Sequence, residues 1–215
     1  NEIFNANRVF LDVAAQQLGT PLTAMGWAFE TLSKELEANQ NLKPITDEGK
    51  ALVERSLKIV NDLLDAARIE GGKFGYTFTE LNLSELVQGI VTEAKRIAES
   101  WGITISYSPA PEPIIIQGDR VRIGMALSNI IDNAIKYNTQ HGNVAIYIEK
   151  AQKEPYAKII IQDTGIGMPE KETQALFRKF SRGEKAKELE PNGSGLGLYI
   201  AKNIVKNHGG DIYVE

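Results

Sequence analysis

Two stretches of this chain place an apolar residue at every third or fourth position and hold that rhythm for several turns. From Leu18 the series is Leu18, Leu22, Met25, Phe29, Leu32 and Leu36, with Leu11 and Ala15 extending it backward; Val53, Leu57, Val60, Leu64 and Ala67 repeat it between Asp47 and Glu70. Alternating steps of four and three put these side chains on one stripe of a helix, the seam by which helices pack on helices. Between the stretches Asn39, Asn41, Pro44 and Thr46 break the rhythm, and a side-chain oxygen of Thr46 or Asp47 can cap the helix that follows. Residues 1–70 therefore read as a helical hairpin. A lone hairpin buries one face of each helix, so the economical arrangement is a four-helix bundle made by two chains through residues 4–70. A monomer in which the hairpin packs on the rest of its own chain is the other arrangement open to the sequence.

Gly71, Gly72 and Gly75 mark a linker over residues 71–75, and the pattern then changes character. A helix opens at Asn82 or Ser84 and runs to about Trp101. Strand-like runs rich in β-branched residues follow at Ile103 to Tyr107 and Pro113 to Gln117. Asp119 starts another helix, strands follow at Val144 to Glu149 and Lys158 to Gln162, and a last helix from Gly195 to Asn207 ends at Gly209-Gly210. Mixed strands and helices over residues 76–215 predict an α+β sandwich rather than a doubly wound parallel sheet.

Composition narrows the chemistry. With 24 Lys and Arg against 28 Asp and Glu there is no basic excess to neutralise nucleic-acid phosphates or anionic lipid, so neither is an expected partner. Cysteine is absent, which removes disulfides, thiolate nucleophiles and Cys-based zinc sites and fits a reducing, cytoplasmic setting. No apolar run approaches the roughly 18 to 20 residues that span a bilayer. The chain opens inside a helical rhythm and stops in a strand-like run at Asp211 to Glu215, so it reads as a piece of a longer protein whose membrane or sensory segments would lie elsewhere.

Four blocks in the second half carry candidate chemistry. On the helix from Asp119, Asn129 and Asn133 are four residues apart and share a face; their amide oxygens are hard ligands suited to Mg²⁺, and Lys136 lies one turn on to meet phosphate charge. Such an Asn pair also serves simply to satisfy a surface or a buried bond. Asp163 ends a strand and is followed by Gly165 and Gly167, which allow a tight turn and close backbone approach; its carboxylate can accept from the exocyclic amine of adenine, although an ordinary turn has the same letters. Between Pro169 and Pro191 a highly charged stretch holds Phe177 and Phe180, and reads as a mobile lid anchored by two aromatics, with Arg182 placed to meet a γ-phosphate or a surface carboxylate. Gly193, Gly195, Leu196, Gly197 and Leu198 precede the last helix, whose free N–H groups bind phosphate. A Gly-x-Gly-x-Gly string alone also suits a Rossmann turn or a plain loop, but here it comes late in the chain.

In this order, Asn129 to Tyr137, Asp163 to Met168, Phe177 to Arg182 and Gly193 to Leu198 resemble the ATP-binding domain of sensor histidine kinases. Gln16-Gln17-Leu18-Gly19-Thr20-Pro21-Leu22 resembles the phosphoacceptor box of the same family. Related gyrase, chaperone and mismatch-repair ATPases share such a pocket but lack a Thr-Pro-containing hairpin before it. The resemblance implies a dimeric helical hairpin followed by an ATP-binding sandwich, ATP and Mg²⁺ as ligands, Asp163 as the adenine reader, and a response-regulator receiver domain as partner. It departs at the acceptor: Gln16 stands where the family has its phosphorylated histidine, Gln17 where it has an acid, and Gly19 where it has an Arg. A carboxamide nitrogen is delocalised into its carbonyl and is no nucleophile at neutral pH, so autophosphorylation is not expected. Thr20, one turn on, is positioned to orient a water for hydrolysis of a receiver phosphate. His141 and His208 both fall outside the hairpin and read as structural or solvent-exposed.

Overall fold

The computed structural model describes the backbone of residues 2–36, 42–150, 156–191 and 193–215, with side chains from residue 18 onward. The chain divides into two compact units, Asn1–Phe74 and Gly75–Glu215.

The first unit is a hairpin of α1 (Glu2–Glu35) and α2 (Lys43–Glu70), and Pro21 lies inside α1. Close approach of the two helices depends on Gly49: the ring of Phe29 occupies the space where a Cβ would sit, 2.3 Å from its nearest carbon. Gly26 faces Val53, where a Cβ would be in ordinary contact at 3.4 Å. Near the turn, Ser33 Oγ donates to Asp47 Oδ1 at 2.7 Å and ties the helices together. The expected cap at Thr46 or Asp47 is not used, because α2 begins earlier. Pro44 occupies its first turn, where a missing N–H forfeits no helix bond; Thr46 Oγ1 donates back to the Lys43 carbonyl, and Asp47 is the acceptor of Ser33. The connector with Asn39 and Asn41 lies outside the described residues, as do the side chains of Leu11 and Ala15.

The single apolar stripe read from the sequence is two stripes in space. Leu22 and Phe29 on α1, Leu36 just past its end, and Val53, Leu57, Val60 and Leu64 on α2 are buried or half-buried. Leu18, Met25 and Leu32, each seven residues from the next, remain exposed, and so do Ile45, Leu52 and Ile59 at the same interval on α2.

The second unit contains β1 (Thr79–Asn82), α3 (Leu83–Ser100), β2 (Thr104–Ser108), β3 (Ile115–Gly118), α4 (Arg120–Lys136), β4 (Asn143–Lys150), β5 (Ala157–Asp163), α5 (Glu170–Thr173), α6 (Glu184–Leu189) and α7 (Gly197–Asn207). Its main sheet has the order β2-β4-β5, parallel between β2 and β4 and antiparallel between β4 and β5. Strand β1 pairs antiparallel with β3 in a separate two-stranded ladder. Asn82 caps α3 by accepting from Glu85 N at 3.2 Å, and Asp119 caps α4 by accepting from Arg122 N at 3.0 Å. Val87 and Val91 of α3, Ile131 and Ile135 of α4, and Val144, Ile146 and Ile148 of β4 fill the core between helices and sheet. Helix α7 packs on α4 through the fully buried Ile200 and Ile204. The α+β sandwich is the architecture found. Three details differ from the sequence reading. β1 was not anticipated, the lid stretch contains the short helices α5 and α6, and Asp211 to Glu215 form no strand.

Candidate functional site

Helix α4 is the element on which the sequence blocks meet. At its C-terminal end the Tyr137 carbonyl accepts from Ile166 N at 3.0 Å, which lays the Asp163-to-Gly167 turn against the helix. That approach requires Gly165: a Cβ there would lie 2.4 Å from the Tyr137 oxygen. Asn138 and Thr164 lock the same junction. Thr164 Oγ1 donates to Asn138 Oδ1 at 3.0 Å and accepts from Asn143 N at 2.8 Å, while Asn138 Nδ2 donates to the Ala134 carbonyl. These two residues were missed in the sequence. Their signal was positional, a hydroxyl between Asp163 and Gly165 and an amide just past the helix end. Asp163 is exposed, and one carboxylate oxygen accepts from Gly165 N at 2.8 Å, the geometry of an Asx turn.

About two turns back along α4, Asn129 is buried, and its Nδ2 donates to the Gly197 carbonyl at 3.3 Å. This pins the start of α7 to the middle of α4. The amide N–H of Asn129 is thus committed to packing, while its oxygen keeps acceptor capacity. Asn133, one turn on, is half-buried, and its side chain makes no hydrogen bond among the described residues. Lys136 and Tyr137 are half-buried at the same end.

The glycine block forms the facing wall. Leu196 is buried and its N–H donates to Ser194 Oγ; no side chain caps α7, so the first N–H groups from Gly197 onward lack partners within the helix. Leu198 is half-buried in that first turn. Gly195 takes φ +67°, and a Cβ on it would lie 2.9 Å from the Phe180 backbone. Gly193 rests against the Arg182 guanidinium, and Gly167 takes φ +61° on the opposite turn. The Asp163 turn and the start of α7 therefore both lie against α4, and the Phe177-to-Arg182 block joins them through Gly193 and Gly195.

Two expected roles change in the lid. Phe180 does not anchor it, because its ring is 64% exposed and its backbone sits at φ +58°, a conformation rare for a bulky residue. The anchors are a reciprocal pair of cation–π contacts with α7: Lys202 Nζ lies 4.7 Å from the Phe177 ring centre and Lys179 Nζ 5.6 Å from that of Tyr199. Arg182 does not point free into the site; its guanidinium donates to the carbonyls of Pro191, Ala186 and Glu190 and closes the lid stretch on itself. Carbonyl partners leave no trace in a sequence, which is why a phosphate or a carboxylate was the natural expectation. Thr20 is exposed on α1, and the side chains of Gln16 and Gln17 lie outside the described residues. No cluster of three His, Cys, Asp or Glu suited to a metal occurs among the described residues, and none of their helices is long and apolar enough to cross a membrane.

Comparison with known proteins agrees with this geometry. Residues 6–72 match the His Kinase A (phospho-acceptor) domain, and residues 118–215 match the histidine kinase-, DNA gyrase B-, and HSP90-like ATPase family. The sensor histidine kinase WalK of Bacillus subtilis is 30% identical over 97% of this chain and 34% of its own length. The sensor protein GacS of Pseudomonas syringae is 31% identical over 100% of this chain and 24% of its own length. The chain thus spans between a quarter and about a third of these relatives. Among solved structures, the mycobacterial sensor histidine kinase MprB superposes with a TM-score of 0.56 at 27% identity, covering 65% of this chain and 85% of that one. Full-length ShkA, in complex with AMPPNP, shares the fold with a TM-score of 0.72 at 21% identity over 93% of this chain and 41% of its own. A phosphoacceptor-type hairpin joined to an ATPase-type sandwich, with sensor kinases as relatives across its whole length, makes this chain a member of the histidine kinase family.

Proposed function

We propose that this chain is the core of a two-component sensor histidine kinase that binds Mg-ATP on its second unit, pairs with a second copy through residues 4–70 and engages a response-regulator receiver domain. The observation that carries the nucleotide reading is the convergence on α4 of the half-buried amide of Asn133, a glycine-enabled turn bearing Asp163, and the start of α7, which no side chain caps among the described residues. These residues fit the ligand. Asp163 keeps a carboxylate oxygen for adenine, Gly165 lets its turn close on the end of α4, Gly167 leaves open space beside it, and the N–H groups from Gly197 to Tyr199 face phosphate. Asn133, with the oxygen of Asn129, would hold the magnesium ion, which supplies charge neutralisation at the phosphates. Lys136 meets phosphate charge from the same helix.

Dimerisation is supported by the exposed seam. Leu18, Met25 and Leu32 on α1 and Ile45, Leu52 and Ile59 on α2 recur every seven residues with no cover from their own hairpin, the pattern a second hairpin would bury. The solved structure of the histidine kinase ThkA in complex with the response regulator TrrA, which shares the fold at 22% identity, is a precedent for receiver engagement.

Gln16 occupies the acceptor position, so transfer of the γ-phosphoryl group to this chain does not occur in this proposal. Radiolabelled ATP tests that directly: label on the purified protein contradicts it, and Gln16→His restores labelling where that residue alone is at fault. A second reading, a natural pseudokinase acting as an ATP-responsive scaffold or receiver phosphatase, is favoured by Gln17 and Gly19, which also depart from the family's box. Silence of Gln16→His together with loss of label from a phosphorylated receiver, dependent on Thr20, selects it. Calorimetry with magnesium and AMPPNP tests the common premise; folded protein giving no heat sinks both readings.

A further inference from the structure

Helices α4 and α7 touch at two places about ten residues apart on each. Asn129 holds Gly197 at the start of α7, and ten residues earlier Asp119 meets His208 just past the end of α7. The helices are therefore antiparallel along this stretch, with two pins separated by roughly 15 Å of helix. The first pin belongs to the nucleotide site. The second has no part in it.

His208 Nε2 is 3.0 Å from the Asp119 N–H, and Nδ1 is 2.7 Å from the Ile204 carbonyl. A carbonyl only accepts and a backbone N–H only donates, so Nδ1 carries the proton and Nε2 is bare: the partners dictate a neutral imidazole. The Asp119 carboxylate meanwhile accepts from Thr77 N at 2.8 Å and from Arg122 N. The rings of Tyr76 and Phe78 close over His208, with centroids 5.6 and 4.9 Å away. Gly118 lies against the imidazole, where a Cβ would be in ordinary contact with its Cδ2 at 3.4 Å.

We propose that His208 is a positioning residue for the nucleotide site: as a neutral acceptor for the Asp119 N–H it fixes the axial register of α7 against α4, and so sets Gly197 and the uncapped turn against Asn129 and Asn133. This rests on the nucleotide reading above. A second proton on the imidazole puts an N–H against an N–H; the pin opens and the far end of the helix pair loses its register. The ionisable groups around the ring are Asp119 at the head of α4, whose carboxylate Arg122 also acts on, and Tyr76 from the segment before β1, with Lys206 exposed on α7; β3 contributes Gly118. Burial opposes charge on Asp119, but backbone N–H groups of Thr77, Arg122 and Val121 outweigh it and hold the carboxyl below its ordinary range, while burial raises the Tyr76 phenol. Both therefore keep a single charge state between about pH 5 and 8.

The test is the affinity of the full chain for magnesium-AMPPNP between pH 8 and 5.5, comparing wild type with His208→Gln, whose amide oxygen offers an acceptor that is never protonated, and His208→Lys, a permanent cation. At pH 8 wild type and the Gln variant bind alike. On acidification wild type loses about tenfold more affinity than the Gln variant, and the Lys variant is weak throughout. Titration of the ligand's own phosphates is common to all three proteins and cancels. Parallel pH slopes for wild type and the Gln variant overturn the proposal while leaving the nucleotide site standing; no binding by wild type at pH 8 overturns both. The Asp119 amide resonance of wild type, followed without nucleotide, supplies a measurement that needs no variant to fold. It moves with imidazole titration if the pin is real, and an immobile resonance ends the proposal.

Discussion

The two units differ in how completely each buries its apolar surface. In the second, Val91, Val144, Ile200 and Ile204 are sealed from solvent, whereas the hairpin leaves a residue of every heptad, from Leu18 to Leu32 and from Ile45 to Ile59, in the open. A closed core makes a unit self-sufficient. An open seam makes its stability a function of what covers it, so the hairpin's energetics should depend on protein concentration and those of the second unit should not.

The largest expected effect tests the closed side. Ile200→Ala, at a site with no solvent contact on the α4–α7 interface, should cost about 2–5 kcal/mol in denaturant unfolding at any protein concentration; a loss below about 1 kcal/mol would mean that this core can collapse around the deletion. Asp119→Asn comes next, at about 1–3 kcal/mol at pH 7, because one oxygen of the buried carboxylate that accepts from a backbone N–H becomes a donor. The pH signature is specific. Asp119 titrates lower in the folded chain than in the unfolded one, so its stabilisation is complete above the ordinary carboxylate value of about 4 and is lost as pH falls from there through the lowered folded value. Denaturation midpoints between pH 6 and 2.5 should show that slope in wild type and a weaker one in the Asn variant.

Gly195→Ala follows, with about 1–2 kcal/mol for forcing a side chain into the left-handed region, plus displacement of the Phe180 backbone. Its visible effect should be a fall of tenfold or more in affinity for magnesium-AMPPNP, measured by calorimetry, with the core of the second unit intact. The smallest effect on the isolated chain, and the sharpest for the comparison, comes from the hairpin. Met25→Glu with Leu52→Glu, both on exposed positions, should change the stability of a single chain by no more than about 0.5 kcal/mol. The pair should nevertheless abolish dimer in sedimentation and the concentration dependence of hairpin melting. Retention of both would place the assembly surface elsewhere.

Most of the secondary structure was legible because long amphipathic helices and β-branched strands announce themselves locally. The failures have a common origin in contacts distant along the chain. Thr79-Glu80-Leu81-Asn82 has no strand pattern and becomes β1 only because β3 pairs with it. Pro44 reads as a breaker until it is seen within the first turn of α2, and Asp211 to Glu215 look like a strand but find no partner strand. The candidate site was legible as a set of blocks, since glycines at Gly165 and Gly195 signal close approach wherever they face. What could not be read was the division of labour within it: Asn129 bonding Gly197, Arg182 spending its donors on carbonyls, and Phe177 rather than Phe180 meeting α7. Each of those outcomes depends on a backbone atom or a lysine that no spacing rule singles out.

The parallel pairing of β2 with β4 carries a kinetic consequence. Their ladder closes only after the intervening chain, including β3 and the whole of α4, has crossed over, whereas the hairpin forms from neighbours a short loop apart. During synthesis or refolding, helix content from the hairpin should therefore appear in an early phase and the sheet in a late one. Because α4 belongs to the crossover, the proposed nucleotide site should form last, after the exposed heptad seam of the hairpin has already been on display.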